Sequence, residues 1–145
     1  MKKSSERLKT VLKLAKLRET LAAEKLAETI RNVNSQQQQG QQLQGFQKEY
    51  QKQFSAVAAS GVSALTLMNY QCFYGSLEQA VEVQLQRLEL SGSQRDQARA
   101  DWQQYYSRQK NMEKLVDRKV TEEEQELEKK IQREQDDRGP SSPGF

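Results

Sequence analysis

Along the first half of the chain, a largely apolar series of side chains recurs at alternating steps of four and three residues. The series runs Leu8, Leu12, Ala15, Glu19, Ala22, Leu26, Thr29, Val33, Gln36, Gly40, Leu43, Gln47, Tyr50, Phe54 and Val57. A second series runs Tyr70, Tyr74, Leu77, Val81, Gln84, Leu88, Ser91, Arg95, Ala98, Trp102, Tyr105, Gln109, Met112 and Val116. This is the heptad spacing of a helix whose stripe faces another helix, and in the first series it passes through a polar middle. Beyond Val116 the apolar residues are Val120, Leu127 and Ile131, a changed spacing that predicts a local register shift.

Between the two series lies SGVSALTLMN, in which Ser60-Gly61 supplies the positive φ that ends a helix and Asn69 is placed to cap the next one. The pattern predicts an all-α fold, two long helices in an antiparallel coiled-coil hairpin over residues 1–138. The helices are expected over about residues 5–59 and 70–137, the bend over 60–69 and a disordered tail over 139–145. At 1.5 Å per residue each helix spans roughly 80 to 100 Å. Folding about residues 64 and 65 places residue i opposite about 129 minus i. The basic start then meets Glu122 to Glu126, Trp102 meets Ala22, Ala23 and Ala27, and QQQQGQQ at 36–42 faces SGS at 91–93. The last pairing stacks the two softest stretches and predicts a flexible waist.

Composition supports this picture. The 145 residues are 34% hydrophobic and 30% charged, with mean hydropathy −1.00. That leaves little for a globular core, while the only prolines lie in the last six residues and permit long helices. The net charge is +3. Residues 2–18 carry seven basic side chains against Glu6, and residues 121–137 carry eight acids against three bases, so the two ends are electrostatic complements. Cys72 is the only cysteine, which excludes an internal disulfide and fits a reducing, cytoplasmic setting. The lysines of VLKLAKL interrupt any signal-peptide core, and no run approaches a membrane span.

Catalytic chemistry finds no foothold. The chain has no histidine, Cys72 has no partner thiol or base, and neither a phosphate loop nor a metal-ligand spacing occurs. No enzymatic activity, cofactor or metal is expected. The acids of TEEEQELEKK read as a solvated helix face. The basic start lacks interleaved aromatics, so nucleic-acid binding is not expected. Its Leu and Ala stripe lacks the interfacial aromatics of a membrane-bound helix.

The unusual stretch is FQKEYQKQFSAVAASGVSALTLMNYQCFYGSLEQAV, residues 46–81, which gathers most of the aromatic residues around the bend. Gln39, Leu43, Phe46 and Tyr50 repeat at 4,3,4 spacing, and Phe73, Leu77, Ala80 and Gln84 do the same on the second helix. Each set shares positions with its core series and sets others to one side. Tyr50, Phe54, Tyr74 and Leu77 are therefore expected to clamp the tip. Phe46 and Phe73 are expected to flank the core and present a docking patch.

The same residues carry a resemblance. FQKEYQKQF, a glycine-containing bend, NYQCFYGSLEQAVEVQLQRL, the single Trp102 and the tail EKLVDRKVTEEEQELEKKIQREQDD resemble the FliJ proteins of the bacterial flagellar export apparatus over nearly the whole length. Its most specific part is NYQ-x-F-x-x-x-LE-x-A-V at residues 69–81. The resemblance implies a two-helix coiled coil similar to the central stalk of rotary ATP synthases, serving type III protein export and motility. It implies that the free ends insert into the hexameric export ATPase through Lys2, Lys3, Arg7, Leu8, Leu12, Val116, Val120, Leu127 and Ile131. It also implies that Gln39, Leu43, Phe46, Tyr50, Phe73, Leu77, Ala80 and Gln84 contact the cytoplasmic domain of the export gate. Export chaperones are further implied partners, and the protein would sit at the cytoplasmic face of the membrane through its partners. The alternatives are the equivalent stalk of a virulence-type secretion system, or an unrelated coiled-coil scaffold or nucleic-acid-binding protein.

Overall fold

The computed structural model describes residues 3–139. Lys2 and residues 140–145 of the expected tail lie outside the described residues. The fold is all-α, with α1 at Ser4–Ala59 and α2 at Ala64–Asp137, and no strand occurs among the described residues. The two helices pair antiparallel as a coiled-coil hairpin. Every position of the two heptad series through Val116 is buried or half-buried. Burial is thin because two helices shield a side chain from one direction only. Among hydrophobic side chains of the described residues, only Val33, Ala98 and Val116 are buried. Contacts divide the chain into a bend unit, Ala23–Asp101, and a free-end unit of Met1–Ala22 with Trp102–Phe145.

In the bend unit, α1 ends where the Ser60 amide bonds the Ala56 and Val57 carbonyls and Gly61 takes φ 79°, a left-handed conformation that glycine adopts without strain. Ser63 then caps α2. Its hydroxyl accepts from the Thr66 amide at 3.4 Å and lies 3.0 Å from the Thr66 hydroxyl, while its carbonyl accepts the Leu67 amide. The helix thus begins at Ala64 instead of near Tyr70, and Asn69, expected as the cap, is an exposed residue inside it.

The shorter bend changes the pairing. Interacting residue numbers add to 120 for Gln36 with Gln84, 124 for Phe54 with Tyr70 and 125 for Gln51 with Tyr74, below the expected 129. Residues 36–42 therefore lie opposite the Gln84 region, and Ser91 falls level with residues 29 to 34. The two soft stretches are staggered, not stacked. Both are uninterrupted helix. Polar residues in this seam are satisfied locally, because Thr29 bonds the Leu26 carbonyl and Ser91 the Leu88 carbonyl, each at 2.7 Å.

In the free-end unit, the carboxylate of Glu123 accepts from both the backbone amide and the hydroxyl of Ser5, at 3.1 and 2.6 Å. A side chain of α2 thereby caps the first turn of α1, where unpaired amides and the helix dipole favour an anion. Trp102, expected beside Ala22, Ala23 and Ala27, donates its indole N–H to Glu19 at 2.9 Å, one turn nearer the amino end. This contact accounts for a glutamate in the seam. Past Val116 the four-three alternation continues through half-buried Lys119 and Glu123 with Val120 alongside, so the expected register shift does not occur. Leu127 and Ile131 leave the seam, at 53% and 46% exposure, because α1 begins opposite Glu123.

Candidate docking patch beside the bend

Aromatic side chains from both helices meet between residues 46 and 74. The Tyr50 ring lies 5.3 Å from Tyr70 and 4.6 Å from Phe73, and Phe54 lies 5.9 Å from Tyr70, all in tilted contacts. Burial among these rings raises the Tyr50 phenol above its ordinary value, and the neighbouring Tyr70 hydroxyl adds to the effect. Tyr50, Phe54, Tyr74 and Leu77, expected to clamp the tip, are half-buried, and half-buried Tyr70 packs with them. Helical spacing sets Phe46 and Phe73 beside this clamp, at 61% and 52% exposure.

Chemically, the two flanks of the clamp differ. Gln47 and Gln51 donate side-chain N–H groups to the Tyr74 hydroxyl, so that flank is polar and hydrogen-bonded. Toward Phe46 and Phe73 the surface is two aromatic rings beside half-buried Leu43, Leu77 and Ala80, with Gln39 exposed. Gln84, expected both in the core and in the patch, belongs to the core. It is 5% exposed, and its amide donates to the Gln36 carbonyl at 3.0 Å and to the Gln36 side-chain oxygen at 2.6 Å. It is thus unavailable to a partner and holds the helices in register beneath the patch. Leu65 and Met68 are also exposed, at 69% and 60%. Sequence reading assigned them to the bend, and the short LTLM run was their only signal.

The residues expected at the free ends do not form one surface. Lys3 and Arg7 are exposed, Leu8, Leu12 and Val120 are half-buried, Val116 is buried in the seam, and Leu127 and Ile131 are exposed on α2. Following the seam overlooked a second stripe in the same segment, where Val11, Leu14, Leu17 and Leu21 are all exposed. Their signal is the surplus of leucines in VLKLAKLRETL over what one heptad stripe needs. Glu123 is held below the usual carboxylate range, chiefly by the Ser5 hydroxyl, with further help from the Ser5 amide, Lys3 and Lys119 against the opposing cost of burial.

Among the described residues no group of three or more His, Cys, Asp or Glu side chains is placed to hold a metal, and no helix is long and apolar enough to cross a membrane. Cys72 is an exposed free thiol. No curated protein and no solved structure matches the chain significantly. A family model described as Flagellar FliJ protein matches residues 4–139.

Proposed function

This chain belongs to the FliJ family of the flagellar type III export apparatus, and from that membership we propose that it couples an export ATPase ring to the export gate without itself catalysing a reaction. In this reading the free-end unit enters the hexameric ATPase from the cytoplasm, and the patch beside the bend contacts the cytoplasmic domain of the gate. Both helices are common to both units, so nucleotide-dependent forces on the free ends have a continuous covalent path to the patch. Export chaperones are further partners on the same reading.

The observation that carries it is the pair of phenylalanines, Phe46 and Phe73, exposed beside the Tyr50 and Tyr70 clamp. Large aromatic side chains left partly in water beside a rigid base are the usual anchors of a protein interface. Gln39, Leu43, Tyr50, Leu77 and Ala80 complete the patch, and Gln84 supports it from the seam. Lys3, Arg7, Leu8, Leu12, Val120, Leu127 and Ile131 remain the proposed ATPase contacts, together with Lys2, whereas Val116 acts by packing.

The test is binding of the purified gate domain to wild type and to the Phe46→Ala/Phe73→Ala variant, alongside circular dichroism. Loss of two interface anchors should weaken binding by at least about tenfold, with helicity unchanged. Unchanged affinity would refute the patch, and helicity lost in step with binding would assign the two rings to the core. In parallel, stimulation of the export ATPase by the full chain but not by a chain lacking Met1 to Leu12 tests insertion of the free ends.

A further inference from the structure

Within the free-end unit, a groove of about 360 Å³ runs between the helices beside the paired seam. Val11 and Leu14 of α1 and Met112 and Leu115 of α2 form its apolar floor. Val11, Leu14 and Leu115 are 46%, 47% and 36% exposed, although each stands on a well-formed helix. On α1 the stripe extends through Leu21 at heptad spacing from Leu14. A two-stranded coiled coil needs one apolar stripe per helix, whereas a helix that packs against two neighbours carries a second stripe to the side. The furrow between two paired helices, floored by such stripes, has the shape and spacing to seat a third helix.

Charge defines the occupant further. The charged residues lining the groove are Arg18 and Arg108, with no acid among the lining residues. Neither arginine takes part in an ion pair among the described residues. Arg108 rests over the Tyr105 ring, 5.6 Å from its centroid, a stacking that places the guanidinium at the rim while leaving N–H groups for a carboxylate. Arg7 stands one heptad before Leu14 on the same side of α1 and adds a third cation. A concave, apolar floor with a cationic rim complements a helix that carries leucine-like side chains at three-four spacing between glutamates or aspartates. A flat anionic lipid surface would meet the rim but leave the floor unfilled.

We propose that this groove is a docking site for an acidic amphipathic α-helix of a protein partner, distinct from the aromatic patch beside the bend. The docked helix covers about three turns, with its apolar stripe between Leu14 and Leu115 and its carboxylates on Arg18 and Arg108.

The test uses the full-length protein and a fluorescently labelled, helix-stabilised 18-residue peptide with leucines at i, i+3, i+7 and i+10 flanked by glutamates. A counterpart with lysines in place of the glutamates serves as control. Anisotropy should give saturable binding of the acidic peptide at least tenfold tighter than the basic one, weakening as salt rises, and amide shifts should map to residues around Leu14 and Leu115. Arg18→Glu/Arg108→Glu should reverse the preference between the two peptides, and Leu14→Ser should weaken the acidic one without loss of helicity, since both sites are exposed. Equal affinity for both peptides, no saturation, or shifts mapped away from the groove would overturn the proposal. So would vesicles of phosphatidylglycerol that perturb the same amides and are not displaced by the peptide, or self-association that fills the groove in the free protein.

Discussion

Gln84 offers a quantitative check on how the helices are held in register. Its side chain is 5% exposed, its amide donates at 3.0 and 2.6 Å to two oxygens of Gln36, and its Cγ lies 3.7 Å from where a Cβ on Gly40 would stand. Each hydrogen bond contributes about 0.5–1.5 kcal/mol net, and burial of the side-chain methylenes adds up to about 0.8 kcal/mol each. Gln84→Ala should therefore cost about 2–3 kcal/mol, seen as a fall of about 5–10 °C in Tm by circular dichroism at 222 nm. Gln36→Ala removes only the side-chain acceptor, because the backbone carbonyl remains, and should cost about 0.5–1.5 kcal/mol. In a double-mutant cycle the two changes should couple by about 1 kcal/mol, since the shared bond can be lost only once. Urea denaturation of the four proteins measures that term. A loss below about 0.5 kcal/mol for Gln84→Ala with no coupling would mean that water satisfies the amide, and register would then have to be held elsewhere.

Gly92 lies inside α2 and an added Cβ there meets nothing within 4 Å, so Gly92→Ala should stabilise by about 0.5–1 kcal/mol, read as a higher Tm. Glu123 has a lowered pKa in the fold, so its contribution is complete above the ordinary carboxylate value and is lost as pH falls through the lower folded value. Ser5→Ala removes the main cause, and the decline in Tm on acidification should become shallower. Tyr50 is shifted the other way, so the fold favours its neutral form and loses that contribution as pH rises past the ordinary phenol value. Tyr50→Phe should reduce the alkaline loss of helicity, and an unchanged alkaline melting profile would refute the assignment.

The heptad stripes, the place of the bend and the outward position of Phe46 and Phe73 were legible in the sequence because each follows from local spacing. A helix turns by a constant angle per residue, so the order of side chains decides which of them share a face whatever lies opposite. The second stripe of Val11, Leu14 and Leu21 was equally present in the spacing, but the seam explained most leucines and concealed the surplus. The pairing of the two helices was not legible in the same way. A heptad pattern repeats, so sliding one helix along the other by a whole heptad preserves every apolar contact in kind. The choice between such registers falls to particular long-range contacts and to loop length. Ser63 rather than Asn69 capping α2 shortened the bend, Gln84 settled against Gln36 and Gly40, Trp102 against Glu19, and Ser5 under Glu123. Apart from the local Ser63 cap, these contacts join residues 44 to 118 positions apart. Local periodicity determined the faces of this protein, and only tertiary structure decided which faces meet at which height, because that choice rests on contacts no short window of sequence contains.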